Sequence, residues 1–198
     1  YLRDAGALTL GAITTAGGLV DIATTAAGTL TAGGAIASNG GAVSLNAQDA
    51  LAVDGGITAG AGAVNLLANQ DGAGAQGFSQ ADATTIAGTG ITVTVNTGAG
   101  TGTGGAVLST LTDAGALAIS TSNAATDAGG SITRTATGTL SGTSVALTTG
   151  TGDIGAAGTE INLAANQTGV VATTHGAGAI YLRDAGALTL GAITTAGG

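Results

Sequence analysis

The chain has 198 residues, 39 of them glycine, with no proline, cysteine, methionine or tryptophan, and its formal net charge is −8. Eleven acidic residues face three arginines and no lysine, which excludes counterion-displacing contact with nucleic acid and attraction to anionic membranes. The missing cysteines exclude disulfide staples and thiolate metal sites, and a single phenylalanine with two tyrosines excludes an aromatic core. No apolar run approaches the ~20 residues that span a bilayer.

Leu, Ile, Val and Phe supply about a fifth of the residues, near the lower limit for a packed core, and only 7% of the chain is charged. The core expected from this composition is narrow and filled by small aliphatics. In chain order the apolar residues form short alternations: ALTL (7–10), LVDI (19–22), AVSLN (42–46), ALAV (50–53), AVNLL (63–67) and GITVTV (90–95). ALAI (116–119), SVAL (144–147), EINL (160–163) and AIYL (179–182) continue the series. Aliphatics at i and i+2 share one face of an extended strand, and the Gly, Thr, Asn and Asp between them suit outward positions and turns. The glycine content and the β-branched residues disfavour helix, so the chain is read as all-β.

Spacing sharpens the reading. Val20, Val43 and Val64 head the clearest strands, with shorter ones at Leu30, Ile36, Leu51, Val53 and Ile57 between them. A period near twenty with two or three strands per period predicts a right-handed parallel β-solenoid (β-helix) of about 20 residues per coil. Ile91, Val107, Leu117, Ile132, Val145 and Ile161 continue it at looser steps. The stretch 71–85 is expected to be a long loop, with Phe78 packed over the flank.

Residues 1–18 and 181–198 are identical, YLRDAGALTLGAITTAGG in both places. This marks 1–180 as one complete tandem repeat and 181–198 as the start of the next identical copy, so the natural protein is expected to be longer than this stretch. About nine coils at ~4.8 Å each give a rise of roughly 43 Å per repeat. Inside the repeat NLLANQ (65–70) returns as NLAANQ (162–167), and DAGALTL (4–10) as DAGALAI (113–119). The repeated asparagine either stacks inside a coil corner or lies as a solvated turn residue.

The strings GALTLGAITTAGGLVDIATTAAGTLTAGG (6–34) and GSITRTATGTLSGTSVALTTGTGDIG (130–155) resemble the repeats of filamentous-haemagglutinin-like adhesins. The resemblance covers nearly the whole chain but is one of repeat style. It implies a bacterial surface or secreted protein on a parallel β-helix, hence an extracellular or cell-surface location. It transfers no functional residue.

Chemistry is sparse. Polysaccharide-cleaving β-helices need converging carboxylates, whereas here one glutamate, Glu160, stands among scattered aspartates. His175 is the lone histidine, in TTHGAG, and reads as a turn residue. Asp4, Asp54, Asp113 and Asp127 read as turn formers. Calcium is the one ion such turns would suit, yet TTGTGDIG (148–155) misses the tandem calcium spacing. NQT (166–168) fits the glycosylation pattern by three letters. No catalytic, cofactor-binding or metal-ligating residue is assigned, and no enzyme activity is expected.

The expected function is a structural and adhesive segment of a long extracellular fibre, its partners being adjacent copies of the same repeat, in tandem or end to end. An ice-binding solenoid, which needs regular threonine ranks, and a carbohydrate-active β-helix enzyme are the alternatives.

Overall fold

Strands that alternate one inward aliphatic with one small outward residue cannot bury their apolar face alone, and in this chain they do so by stacking on the next turn. The computed structural model describes residues 1–98, 100–122 and 128–196. Among the described residues all regular structure is β, in three parallel sheets. The first sheet has nine strands, from Leu2–Asp4 and Val20–Thr24 to Val170–Thr174 and Leu190–Thr195. The second has six, from Leu8–Leu10 to Ile132–Arg134, and continues through single bridges from Ile132 to Ile154 and from Ile154 to Ile180. The third has eight, from Ile13–Thr14 to Leu182–Asp184. The chain visits the three in turn, which is the parallel β-solenoid that the spacing predicts.

Register makes the coil size explicit. On the first sheet Leu2, Ile22, Leu45, Leu66, Val93, Ile119, Leu147, Ala172 and Ile193 pair in one continuous column. Seven turns separate Ile22 from Ile193. The shortest step in the column is 20 residues, from Leu2 to Ile22, and the longest is 28, from Ile119 to Leu147. Coils of this size place about seven turns in 180 residues, and at ~4.8 Å per turn that is about 34 Å. The later coils exceed twenty residues because glycine-rich excursions such as 71–77 leave the sheets and return.

Phe78 corrects one expectation. Residues 71–77 form the excursion, but Phe78–Gln80 is a second-sheet strand and Thr85–Gly88 a third-sheet strand. Phe78 points inward, 2% exposed, opposite Leu51 on one side and Ala106 on the other. A large side chain beside an alanine keeps the cross-section filled without strain. Leu30, Leu45, Leu51, Ile57, Leu66 and Ile86 are buried completely along the same axis.

The corners hold the polar part of the core. The Asn69 side chain donates to Asn96 Oδ1 at 2.7 Å, and Asn96 Nδ2 donates to the carbonyls of Gly104 and Thr121 at 2.8 and 2.7 Å. Both asparagines are buried in the left-handed backbone region, with φ of 52° and 63°. Asn69 in NLLANQ is therefore the stacked corner residue. Its echo in NLAANQ is not: Asn166 is exposed, and Gln167 is buried instead, donating to the Gly142 carbonyl at 2.6 Å.

Candidate functional site

A buried threonine closes four of the first-sheet strands. Thr24, Thr121, Thr149 and Thr174 each donate a hydroxyl hydrogen to a glycine carbonyl in the corner that follows: Gly28, Gly130, Gly152 and Gly178. The hydroxyl satisfies a carbonyl that has left the ladder, so the chain can turn without an orphaned acceptor. The sequence signal was available in VDIAT, LAIST, VALTT and VVATT, where threonine takes the third inward position.

The outer faces are lined by small side chains. On the first sheet Thr94, Ser120, Thr148, Thr173 and Thr194 form one outward hydroxyl column. The neighbouring column reads Thr92, Ala118, Ala146 and Val171, so a threonine-x-threonine rank occurs at one coil of these, Thr92 with Thr94. Val107 and Val171 are the outward aliphatics left exposed away from the ends.

The acidic residues lie apart and serve the backbone. Asp4 accepts from Gly6 N–H at 2.7 Å, and Asp113, nearly buried, accepts from Gly90, Ile91 and Gly115 at 2.7, 2.6 and 2.7 Å. Asp184 repeats the pattern, accepting from Gly186, Asn166 and Gln167, and these bonds, Gly186 first, hold its carboxyl below the usual range. Asp54 is exposed in its turn, and Asp127 lies outside the described residues. Asp82 accepts from the Thr137 hydroxyl at 2.7 Å and the Thr137 N–H at 3.0 Å; the hydroxyl bond is the largest cause of a pKa lowered to about 2. Glu160 accepts from Gly158 N–H, and backbone hydrogen bonds lower its pKa, with smaller help from Arg183 and Arg134. Among the described residues no group of three or more His, Cys, Asp or Glu gathers. His175 Nδ1 lies 3.2 Å from the Ser122 hydroxyl.

Two arginines are tied to neighbouring coils. Arg3 pairs with Asp21 at 3.0 Å, rather than with its chain neighbour Asp4, and Arg134 donates to the carbonyls of Glu160, Thr135 and Ala136. Arg183 lines a shallow depression of about 390 Å³ with Thr139, Asn162 and Leu163 on the third-sheet side. Among the described residues no helix is long and apolar enough to cross a membrane.

What remains reactive in the physical sense is the pair of open ends. At one, Tyr1, Leu2 (45% exposed) and Leu19 surround a depression of about 270 Å³ above Val20 and Ile22. At the other, Leu190 and Ile193 are 51% and 41% exposed on the last first-sheet strand. Each end presents unpaired N–H and C=O groups along a strand edge beside uncovered aliphatics, a template for another strand. In comparison with known proteins the chain matches no family model, no curated protein and no solved structure.

Proposed function

We propose that the chain is a structural and adhesive segment of a long extracellular β-solenoid fibre, built on the plan of the filamentous-haemagglutinin-like adhesins that its repeats resemble. One observation carries the reading: all three sheets run the length of the molecule, both ends stay open, and the same eighteen residues stand at each. A coil added at either end covers the exposed aliphatics and pairs the free edge, so a tandem chain lengthens without a new kind of interface.

The role is mechanical. Hydrogen bonds between coils run along the fibre axis, and stiffness follows from repetition of the same ladder. The acidic, lysine-free surface keeps such a rod soluble and discourages side-by-side association. In this reading the partners are adjacent copies of the repeat, and the adhesive contact lies elsewhere in the fibre.

The test is length. Chains of one, two and three 180-residue copies, imaged by electron microscopy, are expected to be straight rods that grow by about 34 Å per copy. Beads on a flexible string, or no growth in contour, would overturn the fibre reading.

A further inference from the structure

The two copies of the eighteen-residue segment fold differently, and a junction between repeats has room for one solution. We propose that in the tandem chain the first-sheet strand following Val170–Thr174 is Val20–Thr24 of the next copy. The seam is then a single coil of thirty residues and each repeat holds seven coils. This inference rests on the fibre reading above and specifies the surface by which one copy joins the next.

Chain length is the first argument. In the next copy the position of Ile22 falls thirty residues after Ala172, because the repeat is 180 residues long. The shortest step in the first-sheet column, from Leu2 to Ile22, takes 20 residues, so two coils would need about forty on the same geometry. One coil of thirty exceeds the coil from Ile119 to Leu147 by only two residues.

Register is the second. Leu190–Thr195 pairs with Val170–Thr174 only through an irregularity between Val170 and Ala172. Val20–Thr24 has the same five-residue length as Val170–Thr174 and needs no insertion. Val20 meets Val170, Ile22 meets Ala172 and Thr24 meets Thr174, all inward. Thr24 and Thr174 already make the same bond, each to a following glycine carbonyl, so the buried threonine column runs through the seam unbroken.

The remaining 25 residues close the coil. Leu8–Leu10 and Ile13–Thr14 keep their pairing with Leu30–Ala32 and Ile36–Ala37 on the second and third sheets. Only the outermost first-sheet strands, Leu2–Asp4 and Leu190–Thr195, give way. Each covers an edge that a full-length neighbour would take.

Disulfide trapping in a two-copy chain decides the matter, since the protein has no cysteine of its own. Val171→Cys in the first copy is combined with Asp21→Cys in the second. In the proposed seam these are outward neighbours on adjacent parallel strands ~4.8 Å apart, within disulfide reach. A second chain pairs Val171→Cys with Gly191→Cys and reads the alternative strand. After oxidation and peptide mapping, the first pair is expected to cross-link nearly completely and the second to stay reduced. Cross-linking of the second pair, alone or as much as the first, overturns the seam while a continuous rod in the microscope leaves the fibre standing. If neither pair links and the copies appear as separate rods, both readings fall.

Discussion

Ile13 and Ile193 hold the same position in the repeated eighteen residues, yet they lie on different sheets. Ile13 pairs with Ile36 on the third sheet, and Ile193 pairs with Ala172 on the first. Leu2 and Leu182 part in the same way, opposite Ile22 and Ile161. Local sequence is identical in the two places, so propensity cannot be the cause. Each sheet asks only for an inward aliphatic flanked by small residues, and LTL or AIT meets that demand on any face. The neighbouring coil decides.

The asparagine corner predicts a contrast between two sites with the same backbone geometry. Asn96→Gly keeps the positive φ but strands the Gly104 and Thr121 carbonyls and the Asn69 amide, and is expected to cost about 2–4 kcal/mol. Asn166→Gly, at an exposed turn with φ of 63°, is expected to stay within ~0.5 kcal/mol of the parent. Urea unfolding followed by circular dichroism measures both; equal losses would refute the buried ladder.

Close stacking of corners makes a second contrast. A Cβ on Gly62 would lie 2.1 Å from the Gly41 carbonyl oxygen, and one on Gly41 would lie 2.2 Å from that of Gly18. Neither clash can relax without separating two coils. Gly62→Ala is expected to destabilise by about 3 kcal/mol or more, while Gly11→Ala, with nothing within 4 Å, is neutral or slightly stabilising. Thermal melts of the two variants decide it.

Thr149→Val tests the threonine column by removing the hydroxyl at nearly constant shape. The Gly152 carbonyl, now bonded at 2.6 Å, would be left without its partner inside the corner. The expected loss is about 1–3 kcal/mol, read as a lower urea midpoint. Val171→Thr on the outer face is the control and should change little, because its side chain meets solvent.

Asp82 sets a pH dependence with a definite sign. Its folded pKa, lowered to about 2, lies below the ordinary aspartate value, so the carboxylate form is favoured by folding. The bonds to Thr137 are then fully in place above about pH 4 and are lost as pH falls through about 2. Hydrogen exchange at Ala83 and Thr137 should therefore be protected at pH 4 and released near pH 1.5. Asp82→Asn should remove that dependence. Release already at pH 4 would contradict the clasp.

The fold was legible because a solenoid writes its geometry locally. Alternation in VDIAT, VSLN and ITVTV reports which side chains turn inward, and the spacing of Val20, Val43 and Val64 reports the circumference of a coil. Phe78 was misplaced for an instructive reason: its strand follows a seven-residue glycine-rich excursion, and the flanking residues carry no second large aliphatic to mark it. The threonine column was also overlooked, since a buried threonine and a solvated one have the same letter. Only the corner that follows separates them.

The order of residues by itself determined that this chain forms β-strands, that they stack in parallel, and that the core is narrow and aliphatic. It did so because side-chain alternation and steric size act within a few residues. Which sheet each strand joins, which asparagine is buried and how the repeated segment is threaded were settled by tertiary structure alone. Those outcomes depend on the coil above and the coil below, and two identical stretches with different neighbours arrive at different pairings.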